Sequence, residues 1–226
     1  MRIKGYRTKL TKGMLERSRI PRRFWGVNYS EVPASAQASL GKYIRSVDDM
    51  LDDGEGLLLW GPNGHGKTSI AVLVASEVMR RGGTAYFVTA ESLRIAALEK
   101  TYFDDETTIM ERAQEVELLI IDDLGKEHRG GSEWAERLLE NVLRVRLANK
   151  RATIITTNLG LVGYDIGDEQ KCDASDKQKQ KRVPGLNTVY STSMLEVLRE
   201  ALWPFEVKGE NKRIGAAIKL HDRLAV

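Results

Sequence analysis

The sequence predicts an α/β fold in which a parallel β-sheet carries helices on both faces. Short apolar segments alternate along the chain with longer segments of helical periodicity, and such alternation is typical of βαβ units. The segments at residues 57–60, 118–122 and 153–157 are apolar almost throughout, as expected for strands covered on both faces. A glycine-rich turn joins the first of these strands to a helix.

The elements follow from local patterns in chain order. The predicted strands are residues 56–61, 84–89, 117–123, 152–158 and 205–209, and the predicted helices are 67–81, 90–100, 106–116, 132–150 and 191–203. The first helix ends in Arg80 and Arg81 before two glycines, which is a helix stop. Ser132 suits the N-cap of the fourth helix. One face of that helix is predicted to carry Trp134, Leu138, Leu139, Val142 and Val145.

Composition limits the classes of protein that this chain can be. The 226 residues are 42% hydrophobic, and the single cysteine, Cys172, excludes a disulfide within the chain. One cysteine also fits a reducing compartment. No apolar stretch approaches the roughly 18 residues that span a membrane, and no apolar region follows the N-terminal charges as in a secretory signal. The chain is therefore expected to be cytoplasmic, without membrane contact.

Charge divides the chain into an arm and a body. Residues 1–25 contain nine Lys or Arg and one acid, whereas the remaining residues carry 26 basic and 31 acidic side chains. We predict a basic N-terminal arm at residues 1–34 and one domain at residues 35–226. A polar insertion at about residues 160–188 interrupts that domain, because this region has few apolar residues. Basic arms bind nucleic acid or acidic protein surfaces; a solvated terminus is the alternative.

The glycine-rich turn fits the pattern G-x-x-x-x-G-K-[ST] of a phosphate-binding loop. Its glycines permit the backbone to turn its N–H groups towards phosphates, and the following helix adds the positive end of its dipole. Lys67 is expected to contact the β and γ phosphates, and Thr68 to bind Mg²⁺. The side chain of His65 faces away in most such loops and receives no chemical role. The predicted nucleotide-binding residues are Gly61, Pro62, Asn63, Gly64, His65, Gly66, Lys67, Thr68 and Ser69.

Polar residues at the ends of two other strands complete a predicted catalytic site. Asp122 and Asp123 end an apolar strand, and buried acids at that position require a cation. Asp122 is expected to hold Mg²⁺ directly or through water, and Asp123 to orient or deprotonate the attacking water. Asn158, at the tip of the strand 152–158, is expected to position that water. The sequence lacks an N-K-x-D motif for guanine, so ATP is the expected nucleotide.

These motifs together resemble a known family. The runs "GPNGHGKT", "YFVTAESL", "LLIIDDLGKE" and "SEWAERLLENVLRVRLANKRATIITTNL" resemble the AAA+ ATPases of the DnaC/DnaI helicase-loader type, which are similar to the IstB transposition ATPases. The preceding run "RIPRRFWGVNY" resembles the segment that leads into their ATPase core. The likeness covers roughly residues 19–159 and, more loosely, 189–213.

The resemblance implies a five-stranded, AAA+-like P-loop NTPase that assembles with ATP as an open ring or spiral. Its implied partners are a hexameric replicative DNA helicase and single-stranded DNA in the central channel. Lys100, Tyr102 and Phe103 lie where the family carries a channel-facing insertion, and a cation with two aromatics suits single strands. The alternative is that Phe103 belongs to the core and Lys100 to the solvent.

The chain departs from the family pattern in two places. Loaders carry a separate helicase-binding region, whereas about 30 residues precede the core here. Three interpretations of this difference remain open: the basic arm docks the helicase, the partner is a different protein, or the chain is trimmed. Second, counting from Tyr190, the positions of the family's trans-acting arginines hold Ser193 and Val197, and Arg199 is the nearest arginine. Arg146 matches an arginine that is common in the family, and an interface role for it is left open.

Four functions remain to be separated. A helicase loader is the leading interpretation, and its ATP hydrolysis is expected to be slow in isolation. An IstB-like transposition ATPase would bind duplex DNA with ATP and act with a transposase. An ATP-switched adaptor with little hydrolysis is favoured by the missing arginines. A small-molecule kinase is disfavoured, because no arginine-rich lid segment is evident.

Overall fold

The computed structural model of the chain describes residues 7–99, 109–125, 133–162, 164–165, 182–183, 185–209 and 211. The helices are α1 Lys12–Arg17, α2 Ala34–Arg45, α3 Val47–Asp53, α4 Lys67–Arg80, α5 Ala90–Glu99, α6 Ile109–Glu115, α7 Glu133–Ala148, α8 Leu186–Val189 and α9 Thr192–Ala201. The strands are β1 Gly56–Trp60, β2 Ala85–Thr89, β3 Leu118–Leu124, β4 Ala152–Thr157, β5 Tyr164–Asp165, β6 Arg182–Val183 and β7 Leu202–Glu206.

Five strands form one parallel sheet in the order β2-β3-β4-β1-β7. The predicted α/β fold with a five-stranded parallel sheet is therefore confirmed. Strand β4 lies between β3 and β1 although it follows both of them in the chain. The ends of β1, β3 and β4 consequently meet at the same edge of the sheet. Strands β5 and β6 form a separate antiparallel pair.

Alternate strand residues face two apolar cores, one on each side of the sheet. Leu57 and Leu59 of β1 pack with α4, whereas Leu58 packs on the opposite side with α7 and α9. Successive side chains of a strand point to opposite faces, so strands that are apolar at every position require helices on both sides. Strand β4 is buried along its whole length, in agreement with the sequence prediction.

The described part of the basic arm packs onto the body of the molecule. Leu15, Ile20 and Val32 are buried in the same core as α4. The carbonyl of Ser18 accepts a hydrogen bond of 2.8 Å from the amide of Phe87 in β2. Strand β2 lies at the edge of the sheet, so the arm covers an edge that would otherwise present unpaired backbone groups. Residues 7–33 are therefore not a solvated tail.

Two predictions about individual elements are wrong. Trp134 is 43% exposed, and the buried face of α7 consists of Ala135, Leu139, Val142, Leu143 and Arg146. The helical period places the centre of this face about 120° from Trp134. The last strand begins at Leu202 and not at residue 205, because Trp203 precedes Pro204 and is pushed towards an extended backbone. Pro204 is tolerated since β7 is an edge strand.

Several sequence predictions fall outside the described residues. These are the N-cap Ser132, the channel residues Lys100, Tyr102 and Phe103, and residues 166–181 of the predicted insertion. At the end of that insertion Leu186 is buried and begins α8. Within the part of the chain that the structure describes, no helix is both long enough and apolar enough to cross a membrane.

Candidate functional site

The glycine-rich loop connects β1 to α4 with a backbone that only glycine adopts readily. Gly61, Gly64 and Gly66 have φ angles of 135°, 83° and 92°, a region that side chains disfavour. A Cβ atom at Gly61 would lie 2.7 Å from the carbonyl oxygen of Val207, so close packing also requires glycine there. Helix α4 begins at Lys67, directly after the loop. The amide groups and dipole at its N-terminus therefore face the loop.

Lys67 is held by the loop and by the end of β4. Its Nζ donates hydrogen bonds of 2.8 Å to the carbonyl oxygens of Gly61 and Pro62 and of 2.7 Å to Oδ1 of Asn158. The residue is only 6% exposed. The ammonium group is thus fixed between the loop and Asn158, where a cation can meet phosphate. The ring Nδ1 of His65 lies 2.9 Å from the carbonyl oxygen of Asn63 instead.

Thr68 and Thr156 orient the first acid at the end of β3. The Oδ1 atom of Asp122 accepts hydrogen bonds of 2.9 Å from the Thr68 hydroxyl and 2.6 Å from the Thr156 hydroxyl. The same Thr156 oxygen accepts a hydrogen bond of 3.0 Å from the amide of Asp123. Thr156 therefore positions both acids from the neighbouring strand, a role that sequence reasoning missed because a threonine in an apolar strand carries no distinctive motif.

The two acids differ in backbone conformation and burial. Asp123 has a φ of 63°, and the pairing of β3 with β4 shifts between Ile121 and Leu124. Such an irregularity turns a side chain away from the regular alternation of the strand. Asp122 remains 4% exposed, whereas Asp123 lines the open cleft. The two adjacent carboxylates therefore occupy different environments.

Burial raises the pKa of Asp122, and the neighbouring charge of Asp123 acts in the same direction. The hydrogen bonds from Thr156 and Thr68 and the positive charge of Arg23 oppose this increase in the pKa. A buried carboxylate of this kind is stabilised by a nearby cation. The Thr68 hydroxyl and the Asp122 carboxylate form an adjacent pair of hard oxygen ligands, which suits Mg²⁺.

The described residues supply only part of a metal coordination shell. Among the described residues, no cluster of three or more His, Cys, Asp or Glu side chains is placed to hold a metal. Magnesium is commonly bound through one or two protein ligands, with water and substrate phosphates as the rest. The residues therefore fit a metal that arrives together with a nucleotide.

A cleft of about 230 Å³ brings eight of the predicted site residues together, whereas Gly61, Pro62, His65 and Asp122 do not line it. Its lining residues are Arg23, Phe24, Asn63, Gly64, Gly66, Lys67, Thr68, Ser69, Asp123 and Asn158. Sequence reasoning predicted all of these except Arg23 and Phe24, which belong to the arm. The cleft joins glycine loop, cation, hydroxyl and acid in one place, which is the arrangement required for binding and cleaving a nucleoside triphosphate.

Comparison with protein families identifies this arrangement. A model of the IstB-like ATP-binding proteins matches residues 22–175, which include the loop, both acids and Asn158. This chain belongs to that family. It is a P-loop ATPase with an AAA+-like fold. Comparison with curated protein sequences gives no significant match.

Solved structures of similar fold support the same conclusion about architecture. A crystal structure of the DnaC helicase loader superposes with a TM-score of 0.62 at 23% identity, covering 83% of this chain and 100% of that one. A crystal structure of DnaI gives 0.56 at 21% identity, covering 86% and 94%. A replication initiator DnaA bound to AMPPCP and single-stranded DNA gives 0.55 at 14% identity, covering 83% and 52%.

The positions that the resemblance assigns to trans-acting arginines have other surroundings here. The Ser193 hydroxyl donates a 2.7 Å hydrogen bond to Glu140 and accepts one of 3.1 Å from Arg144. Val197 is buried in the core. Arg199 lies in a separate hollow of about 370 Å³ that includes Asp53, Glu55 and Trp203. This hollow adjoins the starts of β1 and β7, at the opposite end of the sheet from the glycine loop.

Arg146, for which an interface role was left open, is fully buried within the chain. Its guanidinium donates hydrogen bonds to the Thr153 hydroxyl at 2.9 Å and to the carbonyl oxygens of Ala113 and Val116 at 2.6 and 2.9 Å. Burial, together with the charge of Arg151, lowers the pKa of Arg146 to about 9. It remains charged at neutral pH and joins the end of α6 to α7 and β4.

Proposed function

We propose that this ATPase loads a hexameric replicative DNA helicase, assembling with it in an ATP-dependent ring or spiral and engaging single-stranded DNA. The observation that supports this proposal most directly is the fold similarity to the DnaC helicase loader, which extends over the whole of that chain. We further propose a cytoplasmic location, with a basic arm at residues 1–34 and an ATPase domain at 35–226 that carries a polar insertion at about 160–188.

In the proposed site, each polar side chain has one task. Lys67 contacts the β and γ phosphates of ATP, and the loop from Gly61 to Ser69 surrounds them with amide groups. Thr68 and Asp122, whose oxygens lie 2.9 Å apart, hold Mg²⁺, which screens the charge of the phosphates. Asp123 orients or deprotonates the attacking water, and Asn158 positions it near the γ phosphate.

Contact with single-stranded DNA is proposed for Lys100, Tyr102 and Phe103, which lie outside the described residues. A lysine contributes a phosphate contact, and aromatic rings stack on bases regardless of sequence. Binding should require ATP and weaken as salt rises, because phosphate contacts release counterions. Tight binding that is insensitive to salt and independent of ATP would contradict this part of the proposal.

Two alternative functions each have a specific observation in their favour. The matching family model is that of the IstB-like ATP-binding proteins, which supports a transposition ATPase that binds duplex DNA and a transposase. Ser193 and Val197 occupy the expected arginine positions and neither side chain can supply a positive charge. This supports an ATP-switched adaptor with little hydrolysis.

The deciding experiment is co-purification with a hexameric replicative helicase in the presence of ATP, compared with ADP. A loader should form the complex with ATP, and the Lys67→Ala variant should not form it. Lys42→Ala is the matched control, because it also removes a lysine but lies exposed on α2 and does not line the cleft. ATP-dependent binding to duplex DNA without helicase capture would instead favour the transposition ATPase. Capture without stimulated turnover would favour the adaptor.

A further inference from the structure

The segment before the ATPase core contributes a cation to the nucleotide cleft. Residues Arg22–Phe24 form a 3₁₀ turn, and this turn is anchored on both sides. Ile20 is 4% exposed in the core, and the indole Nε1 of Trp25 donates a 2.8 Å hydrogen bond to the Ile20 carbonyl oxygen. The backbone position of Arg23 is therefore determined by packing of the arm.

Arg23 reaches the same cleft as Lys67 and Asp123. Its guanidinium carbon lies 4.5 Å from the centre of the Phe24 ring, and Phe24 packs partly buried against the core. An arginine on an aromatic face keeps its N–H groups available in the plane of the guanidinium. Phe24 thus supports the Arg23 side chain at the rim of the cleft.

Within the described part of the protein, the Arg23 guanidinium does not form a structural ion pair. Neighbouring Arg22 lies 3.9 Å from Glu16, but among the described residues Arg23 has no carboxylate at ion-pair distance. A guanidinium directed at a cleft built for phosphates suits a planar, two-point contact with phosphate oxygens.

We propose that Arg23 is a nucleotide-binding residue whose guanidinium contacts the phosphates of the nucleotide in the cleft. The inference rests on the proposed nucleotide site and adds to it a ligand contact from the arm. A contact between Arg23 and the nucleotide also affects the arm. Because Ser18 is hydrogen-bonded to the edge strand β2 and Arg23 follows five residues later, nucleotide in the cleft stabilises the docked position of the arm.

The test compares Arg23→Ala with Arg22→Ala, which removes the same charge one residue away. Arg22 is 85% exposed, lies over Trp25 and does not line the cleft. Binding of AMPPCP with Mg²⁺, and of AMP, is measured by titration calorimetry. Loss of one charge-assisted contact should weaken AMPPCP binding about 10- to 100-fold in Arg23→Ala. AMP binding should change less, and Arg22→Ala should resemble the wild type.

A second variant and a second measurement separate binding from folding. Arg23→Lys keeps the charge and should recover part of the lost affinity. Hydrogen exchange of residues 18–27 should slow when AMPPCP binds to the wild-type protein and to Arg22→Ala, but not to Arg23→Ala. Equal affinity losses in the two alanine variants would show a general field effect and overturn the inference. Failure of the wild-type protein to bind AMPPCP would instead overturn the nucleotide site itself.

Discussion

The Nζ atom of Lys67 lies 2.7 Å from the Oδ1 atom of Asn158, so one hydrogen bond joins the glycine-rich loop to the end of β4. The two residues are 91 positions apart in the chain. Their contact arises because β4 lies directly beside β1 and on the other side borders β3, which carries the acids. The candidate ATPase site therefore depends on three adjacent strands, and its individual groups are expected to respond differently to substitution.

Asp122→Asn and Asp123→Asn should separate binding from turnover. Asp122 contacts the Thr68 hydroxyl, so its neutralisation should weaken Mg-ATP binding. Asp123 lines the cleft, so its neutralisation should mainly slow hydrolysis. Calorimetry with Mg-ATP and a steady-state phosphate-release assay measure the two effects. Equal losses of binding in both variants, with turnover unchanged, would show that the roles are wrongly assigned.

Asp122→Asn should also stabilise the protein in the absence of nucleotide and metal. Burial raises the pKa of Asp122, so the fold favours the protonated carboxyl group. The stabilising contribution is present below the ordinary carboxyl pKa and is lost as pH rises through the raised value. The free energy of unfolding of the variant should therefore exceed that of the wild type at neutral pH.

The advantage of Asp122→Asn should shrink as pH falls towards the ordinary carboxyl range. Denaturant titrations at several pH values measure it, and Asp53→Asn, which changes an exposed carboxylate at the end of α3, is the control. A stability difference between Asp122→Asn and wild type that stays constant with pH would contradict the role assigned to burial.

Thr156→Val should weaken Mg-dependent nucleotide binding although Thr156 does not line the cleft. The change removes the donor to Asp122 and the acceptor of the Asp123 amide while keeping the side-chain volume. We expect about a tenfold loss of Mg-ATP affinity, equivalent to one buried hydrogen bond. Thr156→Ser should restore most of it. Thr157→Val is the matched control, because the Thr157 hydroxyl donates to the Leu124 carbonyl and contacts neither acid.

Arg146→Met should destabilise the fold by roughly 3 kcal/mol, because it leaves several buried carbonyl groups without a donor. Arg146→Lys should recover little, since one ammonium group cannot reach the separate acceptors of Thr153, Ala113 and Val116. Chemical denaturation measures both variants. Arg144→Met on the same helix is the control, because Arg144 is half exposed and such pairs contribute little. Equal effects at the two positions would contradict the structural role of Arg146.

Arg199→Ala should change ATP turnover little, because Arg199 lies at the end of the sheet away from the glycine loop. An arginine acting in trans accelerates hydrolysis by about 10³- to 10⁵-fold. Because the expected positions hold Ser193 and Val197, slow turnover by the wild-type protein is expected as well. A mixing experiment decides whether Arg199 acts on a neighbouring subunit. Recovery of activity when inactive Arg199→Ala subunits are mixed with Lys67→Ala subunits would establish that Arg199 acts in trans.

Local sequence was sufficient to predict the phosphate loop and most strands. This spacing of three glycines, a lysine and a threonine indicates phosphate binding. Phosphates require both the unusual backbone angles and the polar side chains of such a loop. Strands that are apolar on both faces also indicate a sheet covered by helices. Asp122 and Asp123 were recognisable because two acids directly after such a strand are costly without a cation.

Only the tertiary structure could show the contacts of Thr156 with both acids, the position of Arg23 at the cleft and the interior position of Arg146. A threonine in an apolar strand and an arginine in a basic arm have many possible environments, and no local pattern distinguishes among them. Trp134 was predicted on the same helical face as the apolar residues of α7. In the structure α7 buries a neighbouring face, which includes the charged residue Arg146. Strand order decided the rest: β4 lies between β3 and β1, and that long-range pairing brings Asn158 to Lys67 and Thr156 to both acids.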